Sequence, residues 1–179
     1  MNHPRNVPIT VFSDEEAQEK FQINERYRPL KYCQTQFKVI NDSVVSDTIN
    51  GLMWQRSGSM HAVTFKQAQQ YIDDLNRQQF NNHNDWRLPT LDELKTLLLQ
   101  KKSQQYLFIN PIFSTHQRHC WSSDTRAAKT PFGAQKNAAW GVDFTFGYVF
   151  WGKVDNKFHV RALRRLYPEC DVNINKKHK

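Results

Sequence analysis

The stretch NDWRLPTLDEL, residues 84–94, forces a corner in the chain. Pro89 has no backbone donor and drives Leu88 into extended geometry, so the chain arrives at this point unwound. Thr90 and Glu93 then have capping-box spacing. Leu91, Leu94 and Leu98 share one helical face, and Asp92 and Glu93 sit at the positive end of the helix dipole. The spacing predicts a helix over 91–100. It makes Trp86 a core side chain where that helix meets a sheet, with Asp85 and Arg87 bonding nearby backbone or each other.

A second capping pair, Thr64 with Gln67, opens a helix over 64–79, whose Phe65, Ala68, Ile72 and Leu75 fall on one face. Ser13 with Glu16 marks another within 14–26, ended by Pro29. Elsewhere the pattern is extended: 37–40, 43–45 and 47–55, with Asn50-Gly51 read as a type I′ hairpin turn. Further strands are expected at 119–123, at 139–144 (Trp140, Val142 and Phe144 on one face), at 145–151 with a turn near Gly147, and at 158–166. Residues 124–137 have loop composition. This order predicts an α+β fold, two helices packed on antiparallel strands with long irregular loops.

At 179 residues, 39% hydrophobic and 13% aromatic, the chain suits one domain with a full core. We divide it into an N-terminal, partly helical extension (1–35), a domain (36–167) and a basic, flexible tail (168–179). The net charge of +8 favours anionic partners, although Lys176, Lys177 and Lys179 of that charge lie in the tail. Cys33, Cys120 and Cys170 form no CxxC pair. They read as free thiols in a reducing compartment, or as one disulfide plus one thiol. The N-terminus carries no apolar signal core, and no apolar run approaches the roughly 18 residues of a membrane span. The expectation is a soluble protein starting in the cytoplasm. Work outside the cell would need a dedicated or non-classical export route.

Several stretches occur together and in order: VVSDTINGLMWQ (44–55), TFKQAQQYIDDLN (64–76), NDWRLPTLDEL (84–94), INPIF (109–113), CWSSD (120–124), AAWGVDF (138–144) and VRALR (160–164). This set resembles the collagen-like adhesin C-terminal, or Lcl C-terminal, domain family, long listed as a domain of unknown function. The resemblance covers about residues 37–165. It implies a C-type-lectin-like fold and a bacterial binding module, with sugars, acidic polysaccharides or proteins as ligands. It also implies structural roles for Trp54, Trp86, Arg87, Pro89, Trp121, Trp140, Arg161 and Arg164. The collagen-like stalk of the adhesins is missing here, since the chain has no Gly-X-Y repeat and only 6 glycines.

The residues argue against most chemistries. Calcium-dependent sugar binding needs convergent carboxylates and amides, and the Glu-Pro-Asn or Gln-Pro-Asp pairings of lectins are absent. A formylglycine-type enzyme needs a cysteine pair, whereas His119 and Cys120 are strand neighbours whose side chains point to opposite faces. The histidines have no metal-ligand spacing. Lys153, Lys157, Arg161, Arg164 and Arg165 beside Tyr148, Phe150 and Trp151 could stack and neutralise a nucleic acid, but no nucleic-acid motif accompanies them. No cofactor, metal or catalytic residue is expected. The expected function is non-catalytic binding of another protein, as a subunit of a larger assembly, with binding of acidic or sulfated polysaccharide as the alternative. The residues expected to bind are Arg126, Lys129, Lys136, Asn137, Trp151, Lys153 and Lys157. Oligomeric state is open.

Overall fold

A computed structural model describes residues 4–130 and 133–166, without the side chains of 129, 130 and 134–136. The tail lysines and Cys170 lie outside the described residues. The elements run β1 (Thr10–Val11), α1 (Asp14–Phe21), β2 (Phe37–Val39), β3 (Val44–Asp47), β4 (Leu52–Gln55), α2 (Phe65–Arg77), α3 (Leu91–Lys95), β5 (His119–Thr130), β6 (Gly133–Asp143), β7 (Tyr148–Lys153) and β8 (Leu163–Arg165), with a 3₁₀ turn at Phe80–Asn82. Two four-stranded sheets result, ordered β1-β5-β6-β7 and β2-β3-β4-β8. All pairings are antiparallel except β1 with β5. The fold is α+β.

Both capping boxes form as spaced, with each threonine accepting from the N3 amide and each N3 side chain returning to the threonine amide. α2 buries Ala68, Ile72 and Leu75 as the periodicity requires. α3, however, stops at Lys95, five residues short of the expected end. The amides of Thr96, Leu97 and Leu98 bond to carbonyls three residues back, and Leu99 turns to the Phe108 carbonyl. This tightened turn carries Leu97 and Leu98 into the core beside Leu91 and Leu94. α1 likewise ends at Phe21, because Gln22 takes a left-handed conformation (φ 51°) that turns Ile23 into the core.

Three strand expectations change. The β3–β4 connection spans 48–51 and is no type I′ turn, since only Gly51 has positive φ (66°). The Asp47 carboxylate organises it instead, accepting from the Ile49 and Asn50 amides and the Asn50 side chain. The presumed loop 124–137 is the outer half of the β5–β6 hairpin. Its Ala, Lys and Asn residues have weak strand preference, and pairing between the two segments overrides it. In 158–166 only Leu163–Arg165 is strand, while Phe158 and His159 make single bridges to Val63 and Cys120.

Two apolar clusters flank β3–β4, whose residues are buried on both faces. One gathers Trp54, Trp140, Val142, Phe144 and the α3 leucines; the other gathers Met53, Trp86, Trp121 and the buried face of α2. The segment set apart as an extension contributes Val11, Ala17, Phe21 and Ile23 to the first cluster. Its Arg5 chelates Asp124 of β5. Residues 4–23 thus share the core of the domain they precede.

Side-chain contacts hold the corner on several sides. Trp86 is 2% exposed, its indole N–H donates to the Phe80 carbonyl, and Asn76 bonds its backbone amide and carbonyl at 2.8 Å each. Asp85 and Arg87 do not pair with each other. Asp85 holds Arg164 (2.6 Å), and Arg87 makes a bidentate bond to the buried Glu93 (2.7 and 2.6 Å). The Arg87 backbone also bridges Leu163, which ties the corner to the second sheet. Among the described residues, no helix is long and apolar enough to cross a membrane.

Candidate functional site

The register of the first sheet aligns the residues expected to bind. Arg126 of β5, Ala138 of β6 and Lys153 of β7 form one row, and Trp140 and Trp151 form a neighbouring pair. Ala138 ends at its methyl group, so Arg126 can lean across it. Its guanidinium rests 4.6 Å from the centre of the Trp151 ring. Trp151 remains 43% exposed. Asn137 is exposed, and its carbonyl accepts from the Val154 amide, which anchors the turn carrying Lys157 against the hairpin. Lys153 and Lys157 are exposed and have no ion-pair partner among the described residues. The hairpin backbone carries Lys129 and Lys136 farther out, opposite Ala134 and Ala127, and their side chains lie outside the described residues.

Arg126 is not free in the way the sequence led us to expect. It pairs with Asp14, in the first turn of α1. The Arg126 guanidinium holds the Asp14 carboxyl below its usual range. The Tyr27 carbonyl accepts the Val149 amide and the Tyr27 ring packs against Trp140; burial, then the Asp14 carboxylate, pushes its pKa up. The N-terminal segment therefore braces this face and neutralises one of its charges. Nothing in the local sequence marks Asp14 or Tyr27 for this role, because both contacts span more than a hundred residues of chain.

The residues expected to be structural lie in the interior or in closed networks. Trp54, Trp86, Trp121 and Trp140 are buried, and the Trp121 indole donates to the Val63 carbonyl. The Pro89 carbonyl accepts the Ser123 amide at 2.7 Å. Arg161 is fully buried and donates to the carbonyls of Gln55, Arg56 and Ser114 and to the Gln117 side chain. Arg164 pairs with Asp85. These two arginines therefore stitch separate segments together.

His119 and Cys120 diverge as strand neighbours must. His119 Nε2 lies 3.1 Å from the Asp143 carboxylate, while Cys120 is buried and its thiol is pushed up to about 11 by that burial. A thiol so protonated is a poor nucleophile at neutral pH. Among the described residues, no three His, Cys, Asp or Glu side chains converge as metal ligands. A cleft of about 470 Å³, bordered by Asn6 and Pro8, by Gln69, Ile72 and Asp73 of α2, by Arg87–Leu88 and by Ser123, was not foreseen in the sequence, since its walls come from four separate segments.

The architecture is that of an α+β domain with an aromatic-cationic face at a sheet edge. The family model of the Lcl C-terminal domain matches residues 43–164, and the chain belongs to this family. No curated protein and no solved structure matches it.

Proposed function

We propose that this protein is a non-catalytic binding module with a C-type-lectin-like fold, and that it recognises another protein through the face built by Arg126, Trp151, Lys153 and Lys157. One observation carries this reading: a half-exposed tryptophan, stacked under an arginine and flanked by two uncommitted lysines, sits on a rigid sheet. Tryptophan and arginine are enriched among the few residues that carry most of the binding energy of protein interfaces. Family membership supports a lectin-like scaffold, as do helices flanking antiparallel sheets.

A protein partner fits better than a polyanion because Asp14 already meets the Arg126 charge, which leaves a mixed apolar and cationic surface. Acidic or sulfated polysaccharide is the second reading, favoured by a hairpin whose backbone places Lys129 and Lys136 in its outer half. The deciding experiment compares wild type and Trp151→Ala as baits in the native host, with quantitative mass spectrometry. A stoichiometric protein retained by wild type and lost by a Trp151→Ala bait of unchanged melting temperature supports the proposal. Equal recovery by both baits refutes it. Binding that instead falls steeply as salt rises, with no protein recovered, selects the polysaccharide.

A further inference from the structure

β7 is the last strand of its sheet, so one of its edges faces away from β6. In an antiparallel pair, successive residues point their N–H and C=O alternately toward and away from the partner. The Val149 amide donates outward, to the Tyr27 carbonyl, whereas the Val154 amide bonds Asn137 on the β6 side. Val149, Trp151 and Lys153 therefore turn their backbone polar groups outward. Tyr27 satisfies the Val149 amide, and the Asn156 amide satisfies the Lys153 carbonyl. The amide and carbonyl of Trp151 and the amide of Lys153 have no partner among the described residues.

Proteins normally cover, charge or distort such an edge, because it templates strand pairing. Here the two faces flanking it differ sharply. On one face stand Trp151 and Lys153, with Arg126 above the indole. The other face presents Phe150 and Phe158, whose rings pack at 4.6 Å. Phe158 fills the space beside Gly152, where a Cβ would lie 2.7 Å from its ring. A strand added to this edge would alternate its side chains between a cationic face and an aromatic one.

We infer that the open edge of β7 takes an extended segment of a partner protein in which acidic and apolar residues alternate. The acidic side chains face Lys153 and Arg126, and the apolar ones lie against Phe150 and Phe158. Main-chain bonds supply affinity and the alternation supplies selectivity. A second copy of β7 fits poorly, since it would bring a second set of cations to the same edge. This inference deepens the proposed protein-binding role and rests on it.

The probe is an N-acetylated, C-amidated octapeptide alternating glutamate and valine, added to the full chain and followed by amide hydrogen exchange in NMR. The inference expects the Trp151 and Lys153 amides to slow by roughly tenfold or more, the signature of new main-chain bonds. It expects no protection from the lysine–valine octapeptide. Lys153→Pro removes the outward amide without removing a bond to β6, and should weaken binding beyond Lys153→Gln, which removes only the charge. Binding of the probe without protection of these amides overturns the inference, and so does no binding. Equal binding of the lysine peptide overturns it too. Protection already present without peptide, with concentration-dependent dimerisation, assigns the edge to a second copy and also overturns it. A natural partner that is lost on Trp151→Ala while these amides still exchange freely would leave the binding role standing and remove only the strand-addition mode.

Discussion

Arg5 and Asp124 stand 119 residues apart, yet both terminal nitrogens of Arg5 chelate the Asp124 carboxylate at 2.9 and 2.8 Å. Asp124 is fully buried, and it also accepts the amides of Ile9 and Leu91. One carboxylate thus fastens the N-terminal strand, the first turn of α3 and β5 together. The family match begins only at residue 43, so the segment that supplies Arg5 lies outside it but is built into the same interior.

This arrangement makes Arg5 a stability residue. Arg5→Ala leaves a buried carboxylate without its counter-ion, and such losses cost about 3–5 kcal/mol. Arg5→Lys should recover only part, because one ammonium cannot hold Asp124 bidentately and Asp92 as well. Urea unfolding checks both. An unchanged midpoint for Arg5→Ala would mean that the N-terminal segment detaches without loss.

Trp86 should behave as a core residue. Trp86→Ala is expected to cost about 3–5 kcal/mol, in the range of large-to-small core truncations. Trp86→Phe should cost less, keeping a ring against Phe80 at the price of leaving the Phe80 carbonyl without its donor. Chemical denaturation of the two variants measures the difference. Wild-type stability in Trp86→Ala, with binding lost, would make the corner a ligand site after all.

Stability should decline below about pH 6.5. Burial lowers the His159 pKa in the folded state, and the neighbouring His116, His119 and Arg161 add to it, against a bond from the ring to the Ser59 carbonyl. A histidine held neutral in the fold favours unfolding once the unfolded chain binds a proton that the native state refuses. The penalty is absent above the unfolded value of 6.5, and grows as pH falls from there toward the depressed folded value. His159→Gln should flatten this segment of the melting temperature against pH curve. An identical slope in the variant would place the proton uptake elsewhere.

Asp14 tempers the charge of the binding face. Asp14→Asn leaves Arg126 without its carboxylate, and elution from a heparin column should move to higher salt, with stability changed by about 1 kcal/mol or less as for other partly exposed pairs. Arg126→Ala should elute earlier than wild type. If Asp14→Asn elutes where wild type does, the hairpin face is not what meets the polyanion.

Much of this was legible in the sequence, for local reasons. Thr64 with Gln67 and Thr90 with Glu93 start helices because capping involves residues three apart, and Trp140, Val142 and Phe144 are buried together because a strand alternates by two. Pro89 and Trp54, Trp86, Trp121 and Trp140 marked interior positions, since ring size and a missing donor act wherever the chain places them. The combination of motifs also pointed to the family. What escaped was non-local. The outer half of the β5–β6 hairpin lacks the apolar alternation of a half-buried strand and exists because two segments pair. α3 stops at Lys95, where the next turn tightens and the Leu99 amide goes to the distant Phe108 carbonyl. Arg126 was legible as a cation beside aromatics, but only the folded chain set Asp14 and Tyr27 against it and left the edge of β7 open beyond Tyr27. Capping, alternation and ring burial are set within a few residues of sequence. Which charge is neutralised and which edge stays open depends on segments that meet only once the core has closed.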